Sequence, residues 1–252
     1  MRSNRPTIGP GGGRNMPRLR YTMYNEDGTS LDRGLLMTDW PKFDTPGEQV
    51  RHETIPGRDG SLTVHTGTYP DWTVTIQFEI IGQRIEDLEQ IFRDNCRWLK
   101  NSKRISFADA PDHIYRVKKV EIMDIVRDED VVCDFTCVFT VWPGIYLKGG
   151  EQEMNLSSNI VYNYYDFCKP IYKIIGEGVC ELMVNDNVMQ ANVGQNLTID
   201  TVLMLAYRSD GTIRNTSISG DYEEMWLKAG ENDISITAGF ALTIIPRWRI
   251  MR

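Results

Sequence analysis

The sequence predicts a mainly β protein of two units with one long helix, and three patterns carry that prediction. Over residues 71–81, Val74, Ile76, Phe78 and Ile80 alternate with Thr73, Thr75, Gln77 and Glu79, the period of a strand buried on one face and wet on the other. Beyond Gly82 the period changes. Ile85, Leu88, Phe92, Cys96 and Leu99 recur every three or four residues, while Glu86, Asp87, Glu89, Arg93, Asp94 and Arg97 fall on the opposite side. This predicts a single helix about 24 Å long, packed on the sheet. After Pro170 come eight short apolar runs separated by Gly and Asn-Asp turns, without a helical period, which is the pattern of a β-sandwich.

Taken in order, residues 1–20 carry five arginines, no acidic residue and a run of glycines, and are expected to form a flexible basic arm. Short strands follow at 21–24 and 35–43. Residues 50–55 form a candidate strand closed by the turn at 57–60, where the Asp59-Gly60 pair favours positive φ. After the helix, 104–107 reads as a strand and 108–113 as a polar loop. Residues 114–125 and 131–141 form the clearest hairpin, turned by the charged residues 127–130. Trp142-Pro143-Gly144 stops that strand, and 144–169 shows no sustained period. The expected division is therefore an arm at 1–20, a first domain at 21–143, a linker at 144–169 and a second domain at 170–252. The runs of the second domain are 171–175, 180–184, 197–199, 203–207, 216–218, 225–228, 233–237 and 241–245.

Composition narrows the function. With 41% hydrophobic and 25% charged residues the chain has the make-up of a soluble globular protein, and no stretch approaches the roughly 20 apolar residues of a membrane span. The net charge of −7 is shared by both halves, so nucleic-acid recognition is not expected. The N-terminus lacks the apolar core of a secretion signal, which suggests a cytosolic protein whose five cysteines are reduced.

Chemistry finds little support. His52, His65 and His113 have no metal or nucleophile spacing. Asp109, Asp112 and His113 read as a turn, and Asp128, Glu129 and Asp130 as a solvated hairpin tip rather than a calcium loop. No pair among the 35 acidic residues stands out as a glycosidase pair. Tyr207, Tyr222 and Trp226 could stack on a sugar, although Trp226 precedes a strand pattern and fits a core position better. No enzyme activity, cofactor or metal is expected.

Strings along nearly the whole chain resemble the distal tail protein (Dit) family of long-tailed, siphovirus-type bacteriophages. They are IPGRDG at 55–60, the strand-helix block ending RWL at 97–99, FADAPDHIY at 107–115, KPIYKIIGEG at 169–178, LTID at 197–200, WLKAGENDISI at 226–236 and IIPRWR at 244–249. The resemblance implies a tail-tube-like β-barrel with one helix, followed by a galectin-like β-sandwich. It also implies a homo-hexameric hub ring at the virion tail tip, assembled in the host cytoplasm. Expected partners are the tail tube protein, tape-measure or tail-tip proteins and receptor-binding proteins, with neither nucleic acid nor membrane. The candidate interface residues are Pro56, Gly57, Arg58 and Asp59 in the hairpin turn, with Thr73, Thr75 and Gln77 on the wet strand face, toward a water-filled bore. A carbohydrate-binding module for host-wall sugars is the competing reading, and it accounts for the sandwich alone.

Overall fold

The computed structural model describes residues 21–128, 131–156 and 159–251; the predicted arm at 1–20 and the hairpin-tip residues 129–130 lie outside them. The first half contains β1 (Met23–Asn25), β2 (Gly28–Thr29), β3 (Leu35–Met37), β4 (Lys42–Asp44), β5 (Val50–Thr54), β6 (Ser61–His65) and β7 (Trp72–Ile81). Helix α1 (Ile85–Asn101) is followed by β8 (Arg104–Phe107), β9 (Ala110–Asp128), β10 (Val132–Val141) and β11 (Ile145–Leu147). Strand order in the main sheet is β2-β1-β8-β9-β10-β7-β3, with β4 also paired to β7 and β11 to β9, while β5 and β6 form a two-stranded sheet of their own. This strand path is not closed end to end, and one helix covers it, which agrees with the expected β-barrel with one helix.

Its centre is the antiparallel pair of β7 and β10. Val74 lies opposite Phe139, Ile76 opposite Cys137, Phe78 opposite Phe135 and Ile80 opposite Cys133, and all eight side chains are buried. Onto this face α1 lays Leu88, Phe92, Trp98 and Leu99, with Phe92 edge-on to Phe135 at a centroid distance of 5.3 Å. No side chain caps the helix N-terminus, but Glu86 and Asp87 in its first turn and Lys100 in its last complement the helix dipole.

Two expectations are corrected here. The strand expected at 35–43 is two strands, β3 and β4, because Asp39-Trp40-Pro41 interrupts it and Pro41 has no N–H to give to a ladder; both pieces still pair with β7. The loop expected at 108–113 shrinks to a turn at Ala108 and Asp109. Ala110 already pairs with Phe107, and Pro111 falls at an irregularity of the β8–β9 register, where a missing donor is tolerated.

The remaining strands are β12 (Met154–Asn155), β13 (Ile160–Asn163), β14 (Ile171–Val184), β15 (Asn187–Asp200), β16 (Leu205–Tyr207), β17 (Ile218–Ser219), β18 (Gly230–Ile236), β19 (Ala241–Ile245) and β20 (Arg249–Ile250). Of the eight expected runs, those at 171–175, 180–184 and 197–199 merge into one long hairpin, β14 and β15, paired without a register break from Ile171 opposite Asp200 to Val184 opposite Asn187, while 203–207, 216–218, 233–237 and 241–245 correspond to β16, β17, β18 and β19. Gly176 and Gly178, which read as turn residues, lie within β14. A Cβ on Gly176 would fall 2.3 Å from the Phe240 ring, so glycine here serves close packing against an aromatic. Residues 225–228, expected as a strand, are instead the end of a 3-10 turn and a bridge from Leu227 to Cys168. The second core gathers Tyr172, Ile174, Leu182, Val184, Met189, Leu197, Ile199, Met225 and Ile234, and the Tyr172 hydroxyl donates to the Met225 carbonyl at 2.8 Å.

The stretch 144–169 holds β11, a 3-10 turn (Lys148–Glu151), β12 and β13. Strand β11 pairs with both β9 and β20, so the chain returns to the first half at its end, and Ile250 and Met251 pack against the first core. Near this crossing Asp200, 2% exposed, accepts two bonds from Arg247 at 2.7 and 2.8 Å and the N–H groups of Val202 and Leu203. Burial pushes the Asp200 carboxyl up, but Arg247 and those N–H groups outweigh it and hold the pKa below the ordinary Asp value.

Asp200→Asn should lower the unfolding free energy by about 3–5 kcal/mol at neutral pH, because it leaves Arg247 buried without a counter-charge. Since the folded pKa of Asp200 is depressed, the pair's contribution is present above the unfolded Asp value of ~3.9 and is lost as pH falls through the folded one. Denaturant titrations of both proteins should therefore converge in acid, and a pH-independent gap would exclude the pair as its source.

Candidate assembly surface

The predicted interface residues fall on two different elements. Pro56, Gly57, Arg58 and Asp59 form the turn between β5 and β6, and every residue of both strands is exposed on either face. Val50, Leu62 and Val64 on the strands and Ile55 beside the turn are each about 40% exposed. Polar bonds at its base hold the hairpin. Thr66 donates through both its N–H and its hydroxyl to the Gln49 carbonyl, and the Gln49 N–H reaches Thr68 at 2.8 Å. Glu48 accepts from the Gly67 N–H at 2.7 Å and meets His65 Nδ1 at 3.1 Å, and these two contacts lower the Glu48 pKa. A two-stranded ribbon exposed on both faces is marginal in water, so its apolar side chains are available to a second surface.

Thr73, Thr75 and Gln77 lie on the outer face of β7, opposite Thr140, Val138 and Thr136 of β10, with Lys119, Glu121 and Met123 continuing the same face on β9. The face is graded. Its middle is mostly hydroxyl and amide, Glu79 and Asp134 stand directly opposite each other with Val126 on the other side of Asp134, and beyond them come Ile81 and Val132. Like charges facing across a ladder destabilise it, and Ile81 and Val126 are each 54% exposed, so the layout does not serve the isolated chain. The apolar end was missed in the sequence. Its signal is the string Met123-Asp124-Ile125-Val126, where Asp124 takes a φ of 53° at a register shift and the alternation of β9 fails.

Other candidates do not converge. Asp109 lies in the β8–β9 turn while Asp112 and His113 belong to β9, and among the described residues no group of His, Cys, Asp and Glu has the geometry to hold a metal ion. Burial pushes the thiols upward, Cys168 to about 11, the reverse of what a nucleophile needs. Trp226, expected in the core, is half-buried, stacked on Phe167 at 5.7 Å and covered by the Lys169 ammonium at 3.9 Å, while Tyr222 bonds to Asn215.

If the outer face serves contacts beyond the chain, Gln77→Ala and Thr136→Ala should leave stability within about 0.5 kcal/mol, whereas Ile76→Ala, one residue away on the inner face, should cost about 2–5 kcal/mol. Thermal and chemical unfolding check this, and comparable losses on both faces would make the outer one structural.

Residues 26–141 match the family model described as the phage tail protein RIFT-related domain. No curated protein is detectably similar in sequence. Among solved structures the chain resembles the crystal structure of the Dit protein (gp 19.1) of phage SPP1, described as a paradigm of hub adsorption apparatus in Gram-positive infecting phages. The TM-score is 0.64 at 15% identity, over 88% of this chain and 97% of that one. A weaker likeness, with a TM-score of 0.38 at 11% identity, is to the baseplate of phage P2 in its activated conformation with Ca, over 82% of this chain and 90% of that chain. Residues 26–141 thus match a phage tail protein RIFT-related domain, and the chain as a whole shares the fold of the SPP1 distal tail (Dit) protein.

Proposed function

We propose that this chain is the structural hub of a phage tail tip, a component of the virion rather than an enzyme. In this reading the first domain, built on residues 21–143, forms a homo-hexameric ring that continues the tail tube, and the second, from residue 170, sits at its periphery. The ring joins the tube to tape-measure, tail-tip and receptor-binding proteins. The observation that carries the proposal is the β5–β6 hairpin. It belongs to the domain matched by the phage-tail family and offers both of its faces, with the tip Pro56–Asp59, to an adjoining copy. The hydroxyl and amide side chains of Thr73, Thr75 and Gln77 suit a water-filled bore, and the exposed Ile81 and Val126 suit the next layer of the stack.

Light scattering on the full chain at ~10 μM, where a standard interface of about 1,600 Å² holds, should give a mass near six subunits, and negative-stain images should show a ring with a central hole. A variant in which residues 51–64 are replaced by a short Gly-Ser turn should keep its unfolding transition and lose the ring. A monomeric wild type, or a ring that survives without the hairpin, would overturn the proposal.

A further inference from the structure

Between the two cores lies a cleft of about 190 Å³ whose walls come from both halves, with Asp71, Lys118 and Trp142 on one side and Phe167, Lys169 and Arg249 on the other. Lys118 is accounted for. Its ammonium meets Asp71 at 2.6 Å and lies 3.7 Å from the centroid of Trp142. Lys169 and Arg249 have no carboxylate partner among the described residues. Arg249 is only 5% exposed; its Nε donates to the Phe167 carbonyl at 2.9 Å and its guanidinium lies over the Phe167 ring at 4.1 Å. Its Nη2 is buried with no hydrogen-bond partner among the described residues. Lys169 lies over Trp226, which stacks on that same Phe167. Among the described residues neither cation forms an ion pair.

Two half-buried or buried cations without a paired carboxylate among the described residues form an unbalanced arrangement. Burial and the charge of Arg249 both lower the Lys169 pKa, and the attraction of Glu223 offsets only part of this. Cation–π contact replaces some of the lost hydration, yet it does not satisfy the guanidinium N–H groups. A planar fork and an ammonium in a cleft with aromatic walls are the donor set that binds a tetrahedral oxyanion.

We propose that this cleft binds an oxyanion of the phosphate class, free or as the ester group of a larger molecule, between Lys169 and Arg249. The space is about six times the ~30 Å³ share of one water molecule, enough for the phosphate and a short carbon chain against Trp142 and Phe167. Because Lys118 and Trp142 belong to the first half, an anion seated there also ties the halves together. The site lies within one chain and does not depend on ring assembly.

Isothermal titration of the full chain with inorganic phosphate, and separately with glycerol 3-phosphate, should show saturable binding of one anion per chain with a dissociation constant of about 1 mM or tighter. Acetate and chloride at equal ionic strength should not compete. Lys169→Gln should weaken binding about tenfold, and Arg249→Lys, which keeps the charge and removes the fork, should weaken it as well. Tighter binding of glycerol 3-phosphate would identify an ester as the ligand, and equal binding free phosphate. Absence of saturable binding, displacement by acetate, or an undiminished affinity of Lys169→Gln would overturn the proposal. The lysine variant alone decides the matter if Arg249→Lys does not fold.

Discussion

The register between β7 and β10 is the constraint on which the first half depends. Ten consecutive pairs run from Trp72 opposite Val141 to Ile81 opposite Val132, and because side chains alternate, a slip of β10 by one residue would turn Phe135 and Phe139 to solvent and bring Asp134 and Thr136 beneath α1. The burial of those aromatics, each a matter of about 1.5–3 kcal/mol, excludes the slipped pairing. The same alternation produces both faces at once. An inner face apolar enough to hold the helix requires an outer face whose residues are set by something other than this chain's own core.

The second half uses a different device. Its long hairpin is register-locked over fourteen pairs, and besides the β11–β20 pairing and the packing of Ile250 and Met251 its attachment to the first half is polar. Glu151 draws Arg116 at 2.6 Å and Arg104 at 3.1 Å to the 3-10 turn after β11, and although burial raises the Glu151 carboxyl, the two arginines bring its pKa below the ordinary value. Arg116 also covers the Tyr146 ring at 4.1 Å. Charged and aromatic groups, more than aliphatic packing, thus line the seam between the cores, which is why a cleft rather than a sealed interface lies there.

What could be read from the sequence follows from how local each signal is. Strand β7, helix α1 and strand β10 are visible because their periods extend over ten residues or more and one face is dry. The β5–β6 hairpin is visible through its Asp59-Gly60 turn. Hidden features all depend on distant partners. Gly176 and Gly178 have the chemistry of turn residues, and only β15 and β19 alongside, with the ring of Phe240, show that β14 runs straight through them. Arg249 lies in the string IIPRWR, which carries family resemblance, but its neighbours Phe167 and Lys169 are some eighty positions earlier, and no periodicity connects them.

The return of β20 to the first half has a consequence for the order of events during synthesis. Strand β11 pairs on one side with β9, which has long left the ribosome, and on the other with β20, which is made after the strands of the second core. Ile250 and Met251 belong to a core whose other members precede residue 146. At ribosomal rates of roughly 5–20 residues per second, the first half waits on the order of ten seconds with that flank of β11 unpaired, while the entire second half is translated. Completion of the first core therefore waits for β20, and a product truncated before it keeps an open strand edge near Ile145.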